Sequence, residues 1–124
     1  MKITRIETIP VNVPISPERI IRSGRGNHTV SPFLLVRIHT DEGIEGLGEV
    51  SCTPIWSGED QVTAAHFIDR ILAPLLTGQD PTQIERLMAA VNAAVANNPF
   101  TKAGVEMALW DILGKVAGLS LIHI

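Results

Sequence analysis

A single cysteine, Cys52, stands among 124 residues, which excludes an internal disulfide and any cysteine-based zinc site. Its preferred reading is a small residue at a strand end rather than a nucleophile. Long apolar runs are also missing. Nothing approaches the roughly 18 apolar residues of a membrane span. The opening MKITRIETIPVNV interleaves Lys2, Arg5 and Glu7 with its apolar residues, so it has no uninterrupted block of the kind a signal peptide carries. The expectation is a cytoplasmic protein with no membrane partner. Positive charge is not in excess either. Ten Lys and Arg against 13 Asp and Glu leave a net charge of −3, and the basic residues are scattered, so no nucleic-acid partner is expected.

What is present is the material of one globular domain: 45% of the residues are hydrophobic and 19% charged. Apolar residues at Ile9, Val11, Val13 and Ile15 alternate with Asn12 and two prolines, a period of two that predicts an edge strand over about Lys2 to Val13. The next stretch, SPERIIRSGRGNHTVSP, holds Gly24, Gly26, Asn27 and flanking prolines and reads as a mobile basic loop. Phe33 to Thr40 and Ile44 to Val50 predict two more strands, joined through Asp41-Glu42-Gly43 as a hairpin. The period then becomes helical. Ser57 with Asp60 resembles a capping box, and Val62, Ala65, Ile68 and Leu72 follow at helical spacing until Pro74. Asp80-Pro81 is expected to open a second helix, with Ile84, Leu87, Met88, Val91 and Val95 as its buried stripe. A third begins after Thr101. The predicted fold class is α+β: a three-stranded antiparallel meander followed by three helices that cover one sheet face.

The third helix carries two apolar stripes at 100° per residue, Val105, Leu109, Ile112 and Val116 on one side and Ala103, Met107, Trp110, Gly114 and Ala117 on another. A surface helix needs one stripe. The expectation is therefore packing on two sides, against its own domain and against something else.

Groups with catalytic chemistry are few. Glu45 and Glu49 share one side of the third strand, but they flank Leu47 on a strand with one wet face and read as solvated rather than as an acid and base pair. Gly43, Gly46 and Gly48 lack the spacing of a phosphate-binding loop, and hairpin geometry is their expected role. His28, His39, His66 and His123 have no metal-ligand spacing, and His66 with Asp69, three residues on, reads as two polar side chains facing solvent. His28 shares its loop with Arg19, Arg22 and Arg25, a grip for a carboxylate ligand. Trp56 in TPIWSGED stands just before a helix cap, as a packing lid or an apolar wall for a ligand.

Taken in order, KITRIE, the basic loop, LLVRIHTDEGIEGLGE, TPIWSGED, LAPLLTGQDP and FTKAGVEMALWDILGKVAGL resemble the N-terminal capping domain of the enolase superfamily, in its mandelate racemase and muconate lactonizing enzyme group. The resemblance covers residues 1 to about 119, and NNPFTKAGVEMALWD looks most like the muconate cycloisomerase and dipeptide epimerase side. It implies a domain whose two loops close over the mouth of a (β/α) barrel. The barrel of the parent enzyme would supply Lys bases and three carboxylates for Mg²⁺, with metal-assisted removal of a proton next to a carboxylate as the implied reaction. By position, Ile20, Arg22, Arg25 and His28 of the first loop and Thr53, Ile55 and Trp56 of the second would face a small carboxylate substrate. No catalytic residue, metal ligand or bound cofactor is expected on this chain.

A barrel needs ~250 further residues, so the expectation is a fragment that is inactive alone and whose partner is the missing barrel domain. Gly118 reads as a helix stop, and SLIHI, residues 120–124, is expected to be a non-native tail. The parent enzyme is expected to be a homo-oligomer. The rival expectation is an independent α+β binding or assembly module that uses the surface of helix 102–117.

Overall fold

The computed structural model describes residues 1–123. Among them five strands are formed: β1 (Ile3–Pro14), β2 (Ile21–Ser23), β3 (Gly26–His28), β4 (Val30–Thr40) and β5 (Glu45–Ser51). The long strands make one antiparallel sheet in the order β1-β4-β5, with Thr8 opposite Val36 and Val36 opposite Gly48. This is the expected meander, and β1 is its edge, where Pro10 and Pro14 are tolerated because one side needs no ladder donor. Cross-strand pairing puts Ile6, Leu34, Val36, Ile38 and Val50 on one face, all buried. The alternating Ile9 and Val11 pair with Leu35 and Phe33 on the other face, together with the exposed Glu45, Leu47 and Glu49. The apolar alternation of β1 therefore marks the outer face, not the core.

The helices lie on the inner face. Asp60, not Ser57, caps α2 (Gln61–Phe67), accepting a hydrogen bond from Thr63 N at 2.7 Å. The helix does not stop at Pro74. A wider π turn at Ile68–Leu72 leads into α3 (Ala73–Leu76), and that widening accommodates a proline whose ring would otherwise strike the carbonyl four residues back. Asp80 and Pro81 form a separate turn in which Asp80 Oδ1 accepts from Thr82 N at 2.9 Å, and α4 begins only at Ile84 and ends at Ala94. Its predicted stripe is buried, Val95 included. The last long helix, α5 (Pro99–Val116), starts before Thr101, after Asn97 and Asn98 both take φ of 53°.

Helix α5 lies against β5 at backbone distance. A Cβ at Gly48 would collide with the Gly104 carbonyl oxygen, and one at Gly46 with that of Ala108. These two glycines thus serve close helix–strand approach rather than hairpin geometry; only Gly43, at φ 77°, serves the turn. Val105, Leu109 and Ile112 are fully buried, whereas Val116 is half exposed. Of the second stripe, Gly114 is buried, Trp110 packs partly against the core, and Ala103, Met107 and Ala117 remain exposed. Burying one Leu or Ile side chain stabilises by roughly 1.5–3 kcal/mol. The sandwich of Leu34, Val36, Ile38, Ile68, Leu72, Leu109 and Ile112 is what holds the frame.

Candidate functional site

The excursion between β1 and β4 is closed at its base by Ile15 N donating to Thr29 O at 2.9 Å. It holds regular structure where a mobile loop was expected. Beyond a single turn at Pro17–Arg19, β2 and β3 pair antiparallel, with Ile21 opposite His28 and Ser23 opposite Gly26. Gly26, at φ 123°, turns the chain, and the Ser23 hydroxyl donates to Gly26 O and accepts from Arg25 N, both at 3.2 Å. The second loop is likewise ordered. Pro54 supplies the first residue of a one-turn helix, α1 (Pro54–Ser57), which ends at Gly58 with φ 76°.

Hairpin and helix meet. Arg25 Nη1 donates to Ile55 O at 2.9 Å, and its guanidinium lies 5.7 Å from the centre of the Trp56 ring, within cation–π range. Between them is a cleft of about 240 Å³ lined by Ile21, Ser23, Arg25, Gly26, Asn27, His28, Thr53, Ile55 and Trp56. Five of the seven residues singled out by position line it together: Arg25, His28, Thr53, Ile55 and Trp56. Ile20 and Arg22 do not. Ile20 ends the turn before β2, half buried, and Arg22 alternates with Ile21 and Ser23, which puts it on the hairpin's other side. Ile21, Ser23 and Asn27 line the cleft unforeseen. Strand parity, invisible without the hairpin, would have found Ile21 and Ser23 but not Asn27, which pairs with Arg22.

Chemically the cleft is an apolar wall with a few polar groups. Trp56 and Ile55 are largely exposed, 68% and 58%. His28 is held by a 2.9 Å hydrogen bond to the Ser31 hydroxyl. One N–H of Arg25 is committed to Ile55, and a guanidinium has five, so donors remain for a carboxylate. A larger groove of about 460 Å³ lies between α4 and α5, but it is shallow and sets Lys102 beside Glu106, with no nucleophile.

Elsewhere the ionisable groups serve structure. On the outer sheet face His39 Nδ1 lies 2.7 Å from Glu45 and His39 Nε2 lies 3.3 Å from Glu7, with Arg5 and Arg37 alongside. The hydrogen bond from His39, aided by the two guanidinium groups, holds the Glu7 carboxyl below its usual range. Cys52 is buried, and burial pushes its thiol up, away from thiolate reactivity at neutral pH. Among the described residues no three His, Cys, Asp or Glu side chains converge on a point where a metal ion could sit. No helix among them is long and apolar enough to cross a membrane.

Glu59 went unnoticed in the sequence. It is 2% exposed, and its carboxylate accepts from Phe100 N at 3.0 Å, Thr101 N at 2.9 Å and the Thr101 hydroxyl at 2.8 Å. These are the free donors of the first turn of α5.

The chain as a whole is similar to known proteins. A chloromuconate cycloisomerase of Cupriavidus pinatubonensis is 44% identical over 85 residues, 67% of this chain and 23% of its own length. The cis-3-hydroxy-L-proline dehydratase of Roseibium aggregatum is 35% identical over 123 residues, 98% of this chain and 33% of the enzyme. The crystal structure of a muconate lactonizing enzyme from Mucobacterium smegmatis, complexed with muconolactone, superposes with a TM-score of 0.85 at 35% identity, covering 94% of this chain and 31% of that one. This chain thus spans 23% to 33% of the length of these curated relatives. The family model described as mandelate racemase / muconate lactonizing enzyme, N-terminal domain, matches residues 3–124. By fold and by sequence, the chain belongs to that family of the enolase superfamily.

Proposed function

We propose that this chain is the substrate-capping domain of a Mg-dependent enolase-superfamily isomerase that removes a proton next to a carboxylate, of the muconate cycloisomerase, dipeptide epimerase or racemase type. The observation that supports it is the cleft itself. Two segments 30 residues apart, joined by Arg25 and Ile55, form one partly apolar wall on the rim of an otherwise closed core. Arg25, His28, Thr53, Ile55 and Trp56 shape the pocket mouth, screening the substrate from water and selecting its side chain. Ile20 and Arg22, standing off the cleft, come into play only if the hairpin shifts.

Proton transfer belongs outside these residues. Among the described residues no three carboxylates converge as a Mg²⁺ site would need, and Glu7 and Glu45 are committed to His39 and Glu59 to α5. The metal and the base are therefore assigned to a barrel domain of the parent enzyme, and the chain by itself is inactive. The dehydratase among the relatives widens the range of reactions to be tested.

The test is the full reading frame taken from genomic DNA, expressed and supplied with Mg²⁺. Deuterium exchange next to the carboxylate is followed by NMR across muconate, dipeptide, N-succinyl amino acid and hydroxyproline substrates. Exchange on one of them is expected, with kcat/KM reduced roughly tenfold or more by Trp56→Ala. A frame with no barrel, or a Trp56→Ala enzyme with parental kcat/KM on every substrate turned over, would sink the reading.

A further inference from the structure

We propose that Glu59 is a positioning residue: it ties α1, the wall of the cleft that carries Ile55 and Trp56, to the first turn of α5. A one-turn helix has no stability of its own, so α1 must be held by its attachments. Three are visible. Cys52 N donates to Pro32 O at 3.0 Å on the sheet side, and Arg25 donates to Ile55 O on the hairpin side. Glu59 is the third, and it differs from the others in burial and charge. Among the described residues it is the only buried charged side chain, and it spends both carboxylate oxygens on α5.

The geometry leaves α5 dependent on it. Pro99 has no N–H, Asn98 makes no side-chain cap bond, and Lys102 N already reaches Asn98 O, so Phe100 N and Thr101 N have Glu59 as their acceptor. A carboxylate there also meets the positive end of the helix dipole. Back toward the cleft the connection is short. Glu59 N donates to the Ser57 hydroxyl at 3.3 Å, Ser57 in turn donates to Thr53 O, and Gly58 N closes on Pro54 O. Because α5 is seated on β5 without intervening side chains at Gly46 and Gly48, the chain of bonds refers Trp56 to the closely packed helix–strand joint. The consequence for substrate discrimination rests on the cleft reading above; the tether does not.

The experiment uses the 124-residue chain with Trp110→Phe, which leaves Trp56 as the sole indole of the two present. Acrylamide quenching of Trp56 is measured at micromolar concentration for this parent, for Glu59→Gln and for Asp60→Asn, a loss of charge at the neighbouring helix cap that leaves the tether intact. Glu59→Gln is expected to change the quenching constant at least twofold, Glu59→Asp to restore part of that change, and Asp60→Asn, compared at equal fraction folded, to leave it unaltered. If Glu59→Gln does not fold, Thr101→Val, which strips one of the three bonds, carries the test with a smaller shift in the same direction. A parental quenching constant in the folded Glu59 or Thr101 variant, or an equal shift in Asp60→Asn, would overturn the proposal and leave Glu59 as a helix cap only. Failure of the capping reading would appear separately, as unaltered kcat/KM in Trp56→Ala.

Discussion

Two carboxylates, the exposed Asp60 and the half-buried Asp80, each accept a main-chain N–H two or three residues on, and those bonds hold both carboxyls below the usual value of 3.8. Folding therefore releases protons from these groups in acid. Their stabilisation is fully present above the unfolded value and disappears as pH falls through the depressed folded one. The predicted outcome is that Asp60→Asn with Asp80→Asn lowers the melting temperature at pH 7 and flattens its decline as pH falls below 3.8. A parallel, merely displaced curve would count against the assignment. The residue scale is also where sequence was least readable. Local signals placed caps at Ser57 and Asp80, one residue type and one spacing being as good as another. The buried acceptor Glu59 stayed hidden because its partners lie 41 and 42 residues away.

Among the elements, α5 and β5 make the tightest joint, and Gly48 tests it. Gly48→Ala forces a methyl group onto the Gly104 carbonyl, main chain against main chain, where no flexible side chain can yield. A loss of about 2 kcal/mol or more is expected in urea unfolding, with the m-value unchanged. Gly43→Ala, strained only through its positive φ, should cost about 1 kcal/mol. The three long strands and the helices were legible because they bury enough side chains to impose a period of two or of 3.6 on the sequence. The hairpin β2-β3 and the turn α1 bury almost nothing and contain three or four residues each, too few for any period. Composition alone made them loops. Pro74 misled for a different reason: its local rule is sound, but a π turn one step upstream satisfied it without ending the helix.

For the molecule as a whole, the division between frame and rim decides behaviour in solution. The frame is closed, yet one flank of α5 leaves Phe100 and Met107 about 40% exposed, beside the half-buried Trp110, and Leu119, Leu121 and Ile122 follow on the surface. This matches the second stripe of the sequence, and its partner is the unanswered half of that expectation. The chain alone is predicted to bind a hydrophobic dye and to self-associate as concentration rises. Met107→Lys with Ile122→Lys should suppress both, measured by dye fluorescence and sedimentation, while leaving the unfolding midpoint within about 0.5 kcal/mol. Equal dye binding in parent and variant would place the sticky surface elsewhere.

Glu59 and Asp60 are neighbours in the chain, yet one carboxylate starts α5 and the other starts α2. Adjacent side chains of extended backbone leave on opposite sides, so this single peptide unit works as a corner bracket between two helices that sequence separates by a whole helical hairpin. Order, not content, makes the bracket. Exchanging the two residues, Glu59→Asp together with Asp60→Glu, would preserve composition and net charge, and it would shorten one arm and lengthen the other, leaving each helix with a worse-placed acceptor at its start.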